Sequence, residues 1–67
     1  MKKIDSGKAA TMIRKARKTN RISLEALSDK MGISISYLHE LEHGRRNWTE
    51  AKFQLAALGI SQLRTKQ

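Results

Sequence analysis

The sequence predicts an all-α fold, a compact bundle of four or five short helices. Three observations predict it. Capping residues recur between pairs of apolar residues at the spacing of a helix start, glycines fall where those helices should stop, and no stretch alternates with the period of a strand. Proline is absent, which suits a chain of short helices.

Ile22, Ser23 and Leu27 stand where a residue before the cap, the cap and a first-turn partner should stand, and Ile33, Ser34 and Leu38 repeat the pattern. Trp48, Thr49 and Phe53 do so again, and Ile4, Asp5 and Ala9 more weakly because alanine offers little contact. Gly32 and Gly44 can take the left-handed conformation that ends a helix, and Asn20 can do the same. The elements expected are helix 1 at 6–19, helix 2 at 24–31, helix 3 at 35–43 and helix 4 from 50 onward. Helix 1 places Ala9, Met12, Ile13 and Ala16 on one face. Helix 4 is apolar on two faces, Phe53, Ala56, Ala57 and Ile60 on one and Ala51, Leu55 and Leu58 on the other. The second face needs a partner, and a second copy of the chain is the candidate. Gly59 either caps helix 4 with Ile60 packing back, leaving a short tail at 61–67, or lies inside a helix that continues toward Leu63, which then joins the partner face.

A chain of 67 residues makes one domain at most, expected to span 1–67, and its core is thin. Without cysteine it has neither a disulfide nor a thiolate metal cluster, and no cofactor is expected. The longest apolar run is Leu55–Leu58, so no segment spans a membrane. Lys2 and Lys3 precede no apolar run, so no signal peptide is expected and the location is cytoplasmic. The net charge is +8, unevenly spread. Residues 1–21 carry eight of the fourteen basic side chains, residues 22–44 carry four of the six acids and only Lys30, and residues 45–67 carry five more bases. Two basic flanks bracketing a mildly acidic middle suit a polyanion such as a nucleic acid; a solvated basic surface accounts for the charge alone equally well.

Helices 2 and 3 are joined by Gly32, Ile33 and Ser34, the length at which two helices cross steeply. Leu27, Met31, Ile33, Leu38 and Leu41 form a common apolar seam, and small Ser28 permits close approach. This is a helix-turn-helix at 24–43. From Ile13-Arg14-Lys15-Ala16-Arg17 through Ser23-Leu24-Glu25-Ala26-Leu27 and Gly32-Ile33-Ser34 to Tyr37-Leu38-His39-Glu40-Leu41-Glu42-His43-Gly44-Arg45-Arg46-Asn47, the chain resembles the lambda-repressor-like, Cro/XRE-type helix-turn-helix DNA-binding family. The resemblance implies a five-helix fold, helix 3 as the recognition helix, and a homodimer on a near-palindromic operator. It also implies a scaffold ion pair between Arg17 and Glu42. The sequence departs from the family in three places: Leu24 stands where a backbone-contacting glutamine is usual and offers only its N–H, Trp48 stands where proline is common, and the stretch after Gly44 is short for a fifth helix.

A recognition helix enters the major groove of double-stranded DNA with its N-terminal residues against base edges. The residues placed there are Ile35, toward a thymine methyl, Ser36, His39, toward a guanine N7, and Glu40, toward a cytosine amino group. Backbone contacts are expected from Lys18, Arg21, Ser23 and Leu24 on one flank and from His43, Arg45, Arg46 and Asn47 on the other, with Tyr37 either reaching a phosphate or packing at the helix edge. Trp48 packs against Phe53 or contacts a second subunit.

His39-Glu40-Leu41-Glu42-His43 matches the H-E-x-x-H zinc-protease pattern. The chain has no other histidine or cysteine, no recognisable ligand helix downstream and too little mass to frame a substrate cleft, so an enzyme is not expected. The function expected is sequence-specific transcriptional regulation in a bacterium or phage, most simply repression. The alternatives are an antitoxin that also binds a toxin, and a controller-type activator that contacts RNA polymerase.

Overall fold

The structure, a computed structural model, describes residues 4–64. Four helices follow one another: α1 (Ser6–Thr19), α2 (Leu24–Met31), α3 (Ile35–Glu42) and α4 (Glu50–Arg64). Each begins at the cap the sequence indicates. The Asp5 carboxylate accepts from the Lys8 amide at 3.2 Å, Ser23 Oγ from Ala26 at 3.0 Å, Ser34 Oγ from Tyr37 at 3.1 Å and Thr49 Oγ1 from Lys52 at 3.1 Å. Each bond satisfies an amide that a helix start leaves without an intrahelical partner.

The first three helices end alike. After α1, Ile22 N donates to Arg17 O and Arg21 N to Lys18 O; after α2, Ile33 N donates to Ser28 O and Gly32 N to Asp29 O; after α3, Arg45 N donates to Glu40 O and Gly44 N to Leu41 O. This paired closure needs a left-handed residue. Gly32 and Gly44 supply it with φ of 73° and 76°, but in the first turn it falls on Arg21, at φ 57°, and not on Asn20. Asn20 keeps φ −94° and donates its side-chain amide to Ala16 O at 2.7 Å. α3 stops at Glu42, one residue short of the expectation, with His43 as its cap.

α2 lies against α3 and α4, and α1 closes the bundle against α3 and α4. Leu27, Leu38 and Leu41 are fully buried at the crossing, with Ile13, Ile22, Met31, Ala56 and Ile60 around them. Two expectations about faces fail. Met12 is 57% exposed, and Ala10 is buried in its stead. Arg17 must face Glu42, which rotates the inner stripe of α1 toward Ala10 and turns Met12 outward. On α4, Ala57 is exposed while Gly59 is buried beside Ala56 and Ile60.

α4 passes straight through Gly59, so no tail begins at residue 61; residues 65–67 lie outside those described. Leu63, assigned to a partner face, is half-buried and packs on the core, because the continued helix brings it to the inner side. Gly59 is there for space. A Cβ on it would stand 2.9 Å from Leu27 Cδ1 and 3.3 Å from Lys30 Cβ, so α2 and α4 pack closely there. Gly59→Ala is expected to destabilise by about 1 kcal/mol in urea denaturation, since overpacking of about 1–3 kcal/mol exceeds a helix-propensity gain of about 1 kcal/mol. Gly7→Ala is the control: a Cβ there meets only Asp5 at 3.4 Å, and the change should stabilise the protein.

Candidate nucleic-acid interface

Leu38, Leu41 and Glu42 point α3 into the core. The opposite side therefore presents Ile35, Ser36, His39 and His43, all exposed, with Glu40 half-buried at its edge. The structure brings the four residues assigned to base edges onto one outward strip. Ile35 is 45% exposed, so its aliphatic side chain is open to contact on this strip. The His39 and His43 rings stack with centroids 4.2 Å apart. His43 Nδ1 donates to the His39 carbonyl at 2.9 Å.

The flanks are cationic. Lys18 and Arg21 are exposed at the end of α1, beside the Ser23 cap. Arg45, Arg46 and Asn47 are exposed in the turn after α3. Leu24 is half-buried and packs on the core, so its side chain is committed to packing at the start of α2. Tyr37 takes the packing alternative, with two cations beside its ring. It packs against the core, and its ring lies 5.5 Å from Arg46 Cζ and 5.1 Å from Lys52 Nζ.

Two ion pairs frame the strip. Arg17 meets Glu42 twice, Nε to Oε2 at 2.8 Å and Nη2 to Oε1 at 2.9 Å, while Nη1 donates to Ile22 O at 3.0 Å. Every nitrogen of that guanidinium is occupied, and both side chains are withdrawn from water. The pair ties α1, the turn before α2 and the end of α3 together. The second pair was not read from the sequence: Arg46 Nε donates to Glu40 Oε1 at 2.7 Å. That hydrogen bond, reinforced by the charge of Arg46, holds the Glu40 carboxyl below the usual carboxylate range and pushes the Arg46 guanidinium up. The lowered value means that the pair forms fully above the ordinary carboxylate range and is lost only as pH falls below it. The signal that could have found it is Gly44, whose left-handed turn folds residues 45–46 back toward Glu40.

Trp48 is buried at the far end of this turn. Its indole N–H donates to Leu41 O at 3.0 Å, its backbone N–H to Ser6 Oγ at 2.9 Å, and its ring meets Phe53 edge to face at 6.2 Å. The packing reading holds, and Trp48 is not presented to a second subunit.

A helix-turn-helix with an outward, nearly uncharged recognition strip between cationic flanks defines a DNA-binding domain. The helix-turn-helix domain family matches residues 10–64, and the chain belongs to that family, in its Cro/XRE-type branch; it is a helix-turn-helix DNA-binding regulator. Among solved structures it is similar to the wild-type restriction-modification controller protein C.Esp1396I, with a TM-score of 0.78 and 25% identity over 84% of this chain and 74% of that one. No curated protein sequence matches it. No helix among the described residues is long and apolar enough to cross a membrane.

Proposed function

We propose that this protein is a transcriptional repressor of the bacterial or phage cytoplasm that occupies a near-palindromic operator as a homodimer. The observation that carries the reading is the outward strip of α3, where Ile35, Ser36 and His39 stand exposed between cationic flanks. Those residue types contact base edges and methyl groups, while Lys18, Arg21, Arg45 and Arg46 suit phosphates. Binding without catalysis is the role proposed. Glu40, which a zinc-peptidase reading would need as a base, is tied to Arg46.

The homodimer rests on the outer face of α4. Ala51, Gln54, Leu55, Ala57, Leu58 and Ser61 are all exposed there and none is charged, although 30% of the chain is. Leu55 and Leu58 are 45% and 55% exposed. A largely uncharged face on a chain of net charge +8 suits the meeting of two copies, because little charge is brought together there. Likeness to a controller protein favours a second reading, a controller-type regulator that also contacts RNA polymerase.

In-vitro selection of duplexes, combined with native mass measurement, tests the proposal. A two-fold symmetric motif and a dimer are expected, and Leu55→Asp with Leu58→Asp should give a folded monomer with at least about tenfold weaker operator binding, half of the contacts being lost. An asymmetric motif bound by a monomer would refute the dimer. Co-purification of a second small polypeptide would move the reading toward an antitoxin.

A further inference from the structure

The two ion pairs of this domain share a chemistry and differ in geometry. Glu42 takes Arg17 through Nε and Nη2, and the remaining nitrogen is held by a carbonyl, so each nitrogen already has a partner and the side chain is withdrawn from water. Glu40 takes Arg46 through Nε alone. Among the described residues Nη1 and Nη2 of Arg46 have no hydrogen-bond partner, and its side chain is 56% exposed. The first arrangement is a fastener. The second leaves the two terminal nitrogens, the end of the guanidinium that can engage a phosphate in a forked pair, without a partner among the described residues.

Three further contacts converge on the same point. The Glu40 carbonyl accepts the Arg45 amide at 2.9 Å, so one residue holds the turn by both its backbone and its side chain. The Tyr37 ring lies 5.5 Å from the Arg46 guanidinium, and Tyr37 is itself set against the core. Lys52 Nζ approaches the same ring at 5.1 Å, which crowds cations around the turn and makes the Glu40 carboxylate the local counter-charge. An arginine in an open turn ordinarily samples many rotamers and loses that freedom on meeting DNA. Here the side chain is already held.

We propose that Glu40 is a positioning residue, which holds Arg46 through Nε so that its terminal nitrogens are presented to a phosphate beside the recognition helix, and that it does not read a base. This rests on the DNA-binding role proposed above and revises one residue of the base-reading strip, leaving Ile35, Ser36 and His39 as the readers. It also accounts for an acid on a surface that must approach a polyanion.

The test separates the tether from the charge. Glu40→Gln and Glu40→Ala remove the same charge, but glutamine keeps an oxygen that can accept from Arg46 Nε. Affinities are measured by fluorescence anisotropy on a selected duplex and on a random-sequence duplex, with and without Arg46→Ala. Glu40→Gln should bind about threefold to tenfold more tightly than Glu40→Ala on both duplexes, the range that immobilising one long side chain implies. The difference should vanish in the Arg46→Ala background. Equal affinities for the two Glu40 variants would overturn the proposal, as would a difference that survives Arg46→Ala and appears only on the selected duplex, the mark of a base reader. The parent protein is measured first. If it binds neither duplex, the DNA-binding role falls as well, an outcome distinct from loss of the tether alone.

Discussion

Arg17→Met is expected to cost about 3–5 kcal/mol of folding stability, because it leaves the buried Glu42 carboxylate without its partner. For a domain of 67 residues, whose total stability is about 3–10 kcal/mol, that loss leaves much of the population unfolded at ordinary temperature. The cost comes from the orphaned charge, not from the attraction that was lost. The double variant Arg17→Met with Glu42→Met should therefore recover most of the stability, since two apolar side chains can occupy the site of a buried ion pair at little cost. Urea denaturation followed by circular dichroism measures both. A single variant that loses less than about 1 kcal/mol would show that water reaches Glu42, with the pair behaving as a surface salt bridge.

Trp48→Ala should be of similar size, about 3–5 kcal/mol, the usual cost of emptying a buried tryptophan site. Its effect should extend beyond stability. Trp48 fastens the end of the 43–49 turn to Leu41 O, to Ser6 and to Phe53. Arg45, Arg46 and Asn47 lie between that fastening and α3, so loosening it releases the cationic flank. Trp48→Phe is the informative companion. It keeps an aromatic ring but loses the indole donor and part of the buried volume, and should cost about 2–3 kcal/mol, one buried hydrogen bond plus a partial cavity. Residual folded Trp48→Ala protein should bind DNA more weakly than Trp48→Phe protein at matched folded fraction. Equal affinities would show that an aromatic ring at position 48 does not hold the turn in place.

Much of this architecture was legible in the sequence because the signals were local. Ser23, Ser34 and Thr49 each cap within three residues of themselves, and Gly32 ends α2 whatever packs on it. The features that escaped depend on how helices meet. Met12 and Ala10 lie on either side of an apolar stripe, and only the demand that Arg17 reach Glu42 decides which one turns inward. Leu63 suits an outer or an inner face equally until Gly59 is seen to lie under Leu27 and Lys30. Arg21 carries a positive φ that no composition rule assigns to arginine; the closure between Ile22 N and Arg17 O imposes it. Of the interface, the outward strip followed from helical spacing alone. The tether between Glu40 and Arg46 did not, because their proximity arises from a reversal of the chain at Gly44.

Ile35, Ser36 and His39 form the strip proposed to read DNA sequence. The most direct test is the ratio of affinities for a selected duplex and its scrambled counterpart, measured for the parent protein and for Ser36→Ala, His39→Ala and their combination across a salt series. Each variant should weaken binding to the selected duplex by about 1–3 kcal/mol and leave the scrambled duplex and the salt slope nearly unchanged, because base contacts carry specificity and phosphate contacts carry the salt dependence. A ratio that stays at its parental value in the combined variant would contradict the account and place recognition elsewhere on the molecule.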